Sequence, residues 1–322
     1  MKYFISGANG QLGKEIQDSS KNYPDSQFDF FGRELDICNK ELLQDHFKEN
    51  KDYDYFINCA AYTDVEKAET EVEKAFDVNH RSLKNIIAVC NEKNIMLIHI
   101  STDFVFDGEK KSPYNEDDKP NPVSVYGESK YRGEQLIIEE CKSYIIIRTS
   151  WLYSKYGNNF VKKILELSKK NDTLNVVTEE IGSPTNAMDL ANDILQIAEQ
   201  RSNINSKNNL YHYSNSGYVS RYEFAKKIVE YAGINAGINA GINAGINAGI
   251  NAGINAGINA DINAGINCKI KPVNTDYFKF KAKRPKNSIL DNSKIVDDHK
   301  LSIRNWDVSL KGCIKSILSN EN

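Results

Sequence analysis

The stretch ISGANGQLGKEI, residues 5–16, decides the fold of this chain. It places Gly7, Gly10 and Gly13 in a GxxGxxG pattern that follows a short apolar run and opens a helical one. Glycine permits a tight turn and the close approach of a pyrophosphate, whose charge is stabilised at the N-terminus of the following helix. The pattern therefore predicts the first strand–turn–helix unit of a dinucleotide-binding sheet, although a glycine turn that binds no ligand would have the same sequence.

Short apolar runs alternate with helical patterns from this stretch onward. Further strands are predicted within residues 27–32, 53–61, 95–102 and 143–151, and helices over residues 64–93 and 124–141. Short strands without polar alternation, separated by helices, predict an α/β fold with a doubly wound, Rossmann-type parallel sheet. We assign residues 1–150 to an NAD(P)-binding domain. Residues 151–322 are predicted to form mainly a smaller α+β substrate-binding lobe, partly interleaved with the first domain.

The composition excludes several classes of protein. The 322 residues carry a net charge of −3, which gives no electrostatic reason to expect nucleic acid or an anionic membrane as a partner. No apolar run approaches the roughly 20 residues that span a bilayer. The six cysteines form no CxxC pair, so we expect reduced thiols in a cytoplasmic protein, without zinc or disulfides.

The end of the second predicted strand, FFGRELDI at residues 30–37, bears on the choice of cofactor. An acidic residue at this place binds the ribose 2′-hydroxyl of NAD, whereas an arginine accepts the 2′-phosphate of NADP. Arg33 therefore favours NADPH, with NADH as the alternative. An ordinary solvated surface arginine is an equally good interpretation of Arg33. Asp36 and Ile37 follow and are placed to contact the adenine end.

A tyrosine and a lysine four residues apart suggest acid–base chemistry. Such a pair lies on one helix face, and an ammonium near a phenol lowers the pKa of the tyrosine. The YxxxK pattern occurs three times, at residues 126–130, 222–226 and 277–281. Only Tyr126 follows a strand that ends in a hydroxyl residue, Thr102, at the carboxyl edge where open α/β sheets bind ligands. We therefore predict that Thr102, Tyr126 and Lys130 are catalytic.

Several motifs in the same order give the chain a family resemblance. They are the glycine loop, NCAAYTDVEKAE (58–69), STDFVFDG (101–108), VYGESK (125–130), IIRTSWLY (146–153), GNNFVKKIL (157–165), IGSPTNAMDLA (181–191) and KRPKNSILD (283–291). The chain resembles the extended short-chain dehydrogenase/reductases, most closely those that reduce dTDP-4-dehydrorhamnose. The resemblance covers essentially the whole chain outside one repeat tract.

The resemblance implies a role for each matching residue. In the cofactor site, Gly10, Gln11 and Leu12 would wrap the diphosphate, Asp36 and Ile37 would face the adenosine, and Ala61, Tyr62 and Thr63 would line the cofactor and the sugar. Thr102 and Asp103 would hydrogen-bond the sugar, Tyr126 would donate the proton, and Lys130 would hold the nicotinamide ribose and tune Tyr126. Trp151 would pack on the deoxysugar, unless it is simply a core tryptophan, and Arg284 would contact the substrate diphosphate.

The implied activity is reduction of the 4-keto group of a dTDP-linked 4-keto-6-deoxyhexose, a step of cell-surface polysaccharide biosynthesis. A reductase or epimerase of another nucleotide sugar remains an alternative. A dehydratase is disfavoured because Phe104, rather than Glu, follows Asp103. A second alternative is a non-catalytic relative, such as the regulatory subunit of methionine adenosyltransferase. Some relatives dimerise through magnesium held by carboxylates, but here Met188 stands where such relatives have an acidic residue, and Ser293 falls near another acidic position. We therefore expect no metal and a monomer or weak homodimer.

Residues 233–268 form a low-complexity tract of seven GINA units, one DINA and a closing GINC. As a helix, the tract would carry glycine at every fourth position, at a cost of about 1 kcal/mol each relative to alanine. As a strand, one face would hold only Gly and Asn, which are poor strand formers. A regular repeat fold is the alternative. We expect a repeat expansion in a surface loop, because lengthening a loop costs little, and so expect residues 237–268 to be replaceable by a short link.

Overall fold

Six parallel strands form the central sheet of the computed structural model, which describes residues 1–48, 52–200, 209–233 and 268–319. The strands are β1 Lys2–Ser6, β2 Gln27–Phe31, β3 Tyr55–Asn58, β4 Met96–Thr102, β5 Tyr144–Thr149, β6 Leu152–Tyr153, β7 Thr173–Val177, β8 Ile181–Gly182, β9 Thr185–Asn186, β10 Leu210–Tyr213, β11 Val219–Ser220, β12 Lys269–Val273 and β13 Asn287–Ser288. The order across the sheet is β10-β5-β4-β3-β1-β2. Since β1 has β2 on one side and β3 on the other, the chain reverses direction across the sheet at β1, the place where such sheets bind ligands.

Helices cover both faces of this sheet. The helices are α1 Gln11–Ser19, α2 Lys40–Lys48, α3 Val65–Ala68, α4 Val72–Phe76, α5 Leu83–Lys93, α6 Val125–Glu140, α7 Phe160–Ser168, α8 Ala187–Glu199, α9 Arg221–Tyr231, α10 Ser293–His299 and α11 Trp306–Ser319. One apolar core joins the sheet to α1 and α8, and a second joins the opposite face to α2, α5 and α6. The sequence prediction of a doubly wound α/β fold is confirmed.

A third apolar core lies in the second half of the chain. It is built from α7, α9 and α11 around Tyr153 and Phe224, both almost completely buried. Strands β7 and β12 pair in parallel beside it. By contrast, β10 joins the central sheet beside β5, and α8 packs on α1. Elements from the second half of the chain therefore contribute to both cores.

The helical stretch predicted over residues 64–93 is interrupted in the structure. The segment contains α3 and α4, then a π-helical turn at Asp77–Arg81, and finally α5. Thr70 ends α3, because its amide and its hydroxyl both donate to the Lys67 carbonyl. The π-turn places the side chain of Asn79 in the interior, where it is 2% exposed. This break in the helix positions a part of the site described below.

The repeat tract falls outside the described residues from Ile234 to Asn267, so the prediction of a surface loop stays a prediction. Its two ends are described: Gly233 donates to the Glu230 carbonyl at the end of α9, and Cys268 precedes β12. Cys268 is 1% exposed and belongs to the third core, so it is part of the folded lobe. Among the helices described, none is long and apolar enough to cross a bilayer.

Candidate active site

The turn between β1 and α1 has the geometry of a phosphate cradle. Gly7 has φ +69°, and a Cβ there would lie 2.5 Å from the Ala60 amide nitrogen, so no other residue fits without displacing the backbone. Gly10 is the N-cap of α1 and has no side-chain cap, and the first turn holds no acidic residue. The first amides of the helix are therefore free of side-chain acceptors and repelling charges. An anionic diphosphate fits such a helix end.

The predicted adenosine contacts lie at the end of β2. Arg33 and Asp36 are exposed there, as a cofactor 2′-phosphate and ribose would require. Ile37 is 4% exposed and packs in the core with α2 and α5. Its side chain therefore belongs to the apolar interior, and its predicted contact with the adenosine stays a prediction.

The loop after β3 carries Ala61, Tyr62 and Thr63. Asn79, brought inward by the π-turn, accepts from the Tyr62 amide at 2.8 Å and donates to the Tyr62 carbonyl at 3.0 Å. Its Nδ2 also lies 3.0 Å from the hydroxyl of Ser129 on α6. One buried amide thus fixes this loop against the helix that carries Tyr126. No sequence pattern indicates this role, because it depends on the π-turn, which was not predicted.

Thr102, Asp103 and Tyr126 meet where β4 ends and α6 begins. The Thr102 hydroxyl donates to Asp103 Oδ1 at 3.0 Å. Burial raises the pKa of Tyr126 to about 12, while a hydrogen bond with Thr102 acts in the opposite direction. Burial also raises the pKa of Asp103 to about 6, although Ser288 and Thr102 donate to its carboxylate. Asp103 Oδ2 is buried without a hydrogen-bond partner and is thus available to a polar ligand.

Lys130 lies one turn along α6 from Tyr126 and is 1% exposed. Its Nζ lies 2.6 Å from the Ile100 carbonyl oxygen and 3.1 Å from His99 Nε2. Burial lowers the pKa of Lys130 to about 8. The amine of Lys130 is engaged by His99 and Ile100, and burial has the largest effect on the pKa of Tyr126, so the prediction that Lys130 lowers that pKa stays a prediction.

Trp151 lies in the sequence between β5 and β6, and its backbone φ of +46° is uncommon outside glycine. The absence of a side chain at Gly182 leaves room for its indole, since a Cβ there would lie 2.6 Å from the ring. The guanidinium carbon of Arg221, from the first turn of α9, lies 3.6 Å from the centre of the indole. Trp151 is half-buried, packs against the third core and is stacked by a cation, so its predicted contact with the deoxysugar stays a prediction.

Two arginines converge near Trp151. Arg221 is paired with the buried Glu180 at 3.4 Å, and burial lowers its pKa to about 10, with Arg284 acting in the same direction. Arg284 donates to Glu66 at 3.0 Å, and its Nε is buried without a partner. Asp103 in turn interacts electrostatically with Arg221. The predicted substrate residues Asp103, Trp151 and Arg284 are thus brought together, and Arg221 joins them.

Arg221 was missed because the segment RYEFAKKIVEY reads as an ordinary amphipathic helix. The available signal was its place just after Ser220, which caps α9 by accepting from the Glu223 amide. A residue in the first turn of a helix stands at its end, so it can point away from the packed face. His99 was missed because it lies inside an apolar strand, where a buried histidine usually has a structural role.

Glu15 on α1 accepts a hydrogen bond from the Ser154 hydroxyl at 2.6 Å, and its other oxygen is buried without a hydrogen-bond partner. Burial raises its pKa. Within the described ranges, no three histidine, cysteine or acidic side chains group in a way that could hold a metal ion.

Comparison with known proteins agrees with this geometry. The family model described as RmlD substrate binding domain matches residues 1–319. A dTDP-4-dehydrorhamnose reductase from Aggregatibacter actinomycetemcomitans is 36% identical over 317 residues, 96% of this chain and 97% of that protein. Two solved structures of enzymes with the same name are each 34% identical. That from Clostridium acetobutylicum has a TM-score of 0.83, with 99% and 100% of the two chains covered. That from Bacillus anthracis, in complex with NADP, has a TM-score of 0.82, with 98% and 99% covered.

Proposed function

The chain belongs to the RmlD substrate-binding-domain family, and we propose that it reduces the 4-keto group of dTDP-4-dehydro-β-L-rhamnose to give dTDP-L-rhamnose. The observation that carries this proposal is a series of contacts from Tyr126 to Thr102, from Thr102 to Asp103, and from Asp103 through Arg221 to Arg284. A keto sugar linked to a diphosphate needs a proton donor at one end and cations at the other. Tyr126 would supply the proton and the two arginines the positive charge, and the similar proteins described above carry the corresponding name.

A nicotinamide cofactor supplies the hydride when it is bound. The glycine turn and the end of α1 would hold its diphosphate, and Arg33 would face the 2′-phosphate of NADPH, with NADH as the alternative cofactor. Residues 1–150 would form the cofactor domain and residues 151–322 mainly the substrate lobe. We further propose a cytoplasmic enzyme that supplies an activated deoxysugar to polysaccharide synthesis, as a monomer or weak homodimer.

Different side chains of the site would donate the proton, hydrogen-bond the sugar and bind the diphosphate. Because its pKa is about 12, Tyr126 is protonated at neutral pH and can donate a proton to the oxygen that becomes the hydroxyl. The Thr102 hydroxyl can hydrogen-bond the same oxygen, and Asp103 Oδ2 can accept from a sugar hydroxyl. Trp151 offers an apolar ring to the deoxy face, while Arg221 and Arg284 would bind the diphosphate through charge-assisted hydrogen bonds.

The test of the proposed function is oxidation of NADPH on addition of 4-keto sugars linked to dTDP, UDP or GDP. We expect turnover with the dTDP sugar and little with the other two. Turnover only with UDP or GDP sugars would show that the enzyme acts on another nucleotide sugar. No turnover with any of them, together with binding of a protein partner, would favour the non-catalytic alternative.

Arg33→Ala tests the choice of cofactor. Losing a charge-assisted contact with the 2′-phosphate is expected to raise KM for NADPH about tenfold. KM for NADH should change little, because NADH lacks that phosphate. The measurement is steady-state kinetics with both cofactors, and an equal change for the two would assign Arg33 to the surface. Arg132, an exposed arginine paired with Glu128 on α6, provides the matched control as Arg132→Ala.

Deletion of residues 236–267 tests whether the repeat tract matters to activity. The deletion joins Asn235 to Cys268, keeps the buried Cys268 and leaves 290 of the 322 residues. We expect kcat and KM close to those of the full chain, measured beside thermal unfolding. Deletion of residues 237–268 has the same length but removes Cys268 from the core, so it should lower the melting temperature. A 236–267 deletion that folds but is inactive would show that the tract contributes to the site.

A further inference from the structure

A buried chain of hydrogen bonds runs from the glycine-loop strand to Lys130. Ser6 Oγ donates to Asn58 Oδ1 at 2.7 Å, Asn58 Nδ2 lies 3.1 Å from His99 Nδ1, and His99 Nε2 lies 3.1 Å from Lys130 Nζ. The four residues come from β1, β3, β4 and α6, and each is at most 1% exposed. The reduction described above does not require this chain.

The backbone fixes the direction of these hydrogen bonds. The Ala60 amide donates to Asn58 Oδ1 at 3.1 Å, so the oxygen of the Asn58 side chain must face Ala60. Its Nδ2 therefore faces His99 and can only donate. His99 Nδ1 must then be the unprotonated nitrogen, and a neutral imidazole carries its proton on Nε2.

That tautomer determines the charge of the lysine. A protonated Nε2 needs an acceptor, and an ammonium has none to offer, whereas an uncharged amine has a lone pair. The hydrogen bond between His99 and Lys130 is satisfied only if the amine is uncharged. Burial lowers the pKa of His99 well below its usual range, which excludes an imidazolium in this place.

The other groups that face Lys130 do not outweigh the preference of His99 for an uncharged amine. Glu134, one turn along α6, raises the lysine pKa, but it is held in a buried ion pair with Arg148. Cys59 faces the amine from the end of β3, and burial raises the pKa of its thiol to about 12, so it is uncharged. Tyr126 is likewise protonated at neutral pH.

We propose that the Asn58–His99 pair stabilises the uncharged amine of Lys130 and thereby sets the pH above which the reductase loses activity. The inference rests on the proposed function only in its kinetic part. When Tyr126 gives up its proton, the phenolate is stabilised by an ammonium one helical turn away, which an uncharged amine cannot do. His99 and Asn58 are positioning residues that act through Lys130.

The sign of the pH dependence follows. The ammonium form is the active one, and the lysine pKa of about 8 means that it is present below this pH and lost as the pH rises through it. We therefore expect kcat to fall above about pH 8 in the wild type. The proton that Lys130 takes up at lower pH comes from solvent.

Asn58→Asp reverses the hydrogen bonds without changing the shape of the side chain. A carboxylate oxygen in place of Nδ2 accepts from His99 Nδ1, which leaves Nε2 as an acceptor for the ammonium. The Lys130 titration, followed by ¹³Cε NMR in the cofactor-free protein and assigned with Lys130→Arg, should move up by about one pH unit or more. The alkaline limb of kcat should move with it. Asn171→Asp, the same charge change at an exposed position, is the control and should move neither.

A measurement on the wild type decides the proposal even if Asn58→Asp fails to fold. ¹⁵N NMR of labelled histidine at pH 9, assigned with His99→Gln, should show the Nε2-protonated tautomer. A proton on Nδ1 at that pH would overturn the proposal, and so would an unchanged lysine titration in a folded Asn58→Asp variant. Both readouts need no substrate, so a failure of the proposed function would be seen separately as absent keto-sugar reduction.

Discussion

Replacing Tyr126 by phenylalanine is expected to lower kcat for the keto sugar by about 10²- to 10⁴-fold, the range for loss of a positioned proton donor. The substitution removes only the phenolic oxygen. The ring can keep its edge-to-face contact with Phe104, 5.5 Å between centroids, so the start of α6 should stay folded. Lys130 keeps its contacts with His99 and the Ile100 carbonyl. Cofactor affinity, measured by fluorescence titration, should therefore remain close to that of the wild type.

The matched control is Tyr222→Phe, the tyrosine of another YxxxK pair. Tyr222 lies on α9, where the ammonium of Lys226 packs over its ring at 5.3 Å, and it is not among the residues proposed to bind substrate or cofactor. The same oxygen is removed, and kcat should not change. A Tyr126→Phe variant with wild-type turnover would remove Tyr126 from the mechanism, whereas equal losses in both variants would indicate a general effect on stability.

The contrast between Tyr126 and Tyr222 shows which parts of the fold and the site could be predicted from the sequence. Periodicity and apolar runs predict the sheet, because parallel strands buried on both faces must be apolar throughout. The Rossmann-type order follows from the glycine turn, and Thr102 and Tyr126 follow from their places after β4 and at the start of α6. These are local signals, each readable within a few residues of the position concerned.

The remaining features of the site depend on contacts between distant segments. The buried Asn79 reaches Tyr62 only because the helix at residues 64–93 breaks into a π-turn, which no propensity indicated. Glu66 and Arg284 meet across 218 positions of sequence. The charge state of Lys130 depends on the orientation of one amide, fixed by the Ala60 backbone. A single sequence offers no local pattern for any of these.

Among the features that depend on contacts between distant segments, the position of Arg221 has the largest expected effect on function. We expect Arg221→Lys to raise KM for the dTDP sugar about 10- to 100-fold, because a hydrogen bond to a charged group contributes about 1.5–3 kcal/mol. Lysine keeps the positive charge beside Glu180, which is 6% exposed and would be left buried and unpaired by a neutral replacement. It loses the planar guanidinium that stacks on Trp151 at 3.6 Å and can bind two phosphate oxygens at once.

Kinetics distinguish a role of Arg221 in binding the diphosphate from a role in holding the sugar through Asp103. If Arg221 binds the diphosphate, KM rises while kcat changes little, since Thr102 and Tyr126, rather than Arg221, are proposed to contact the reacting carbonyl. The cofactor KM should be unchanged, because the glycine turn lies on the sheet domain. Lys227→Arg on α9, a conservative exchange at an exposed position, is the control for the helix. A fall in kcat at constant KM would mean that Arg221 acts through Asp103 on the sugar, since Arg221 lowers the pKa of that carboxyl against the effect of burial. An unchanged KM and kcat would leave Arg221 a structural partner of Trp151 and Glu180 alone.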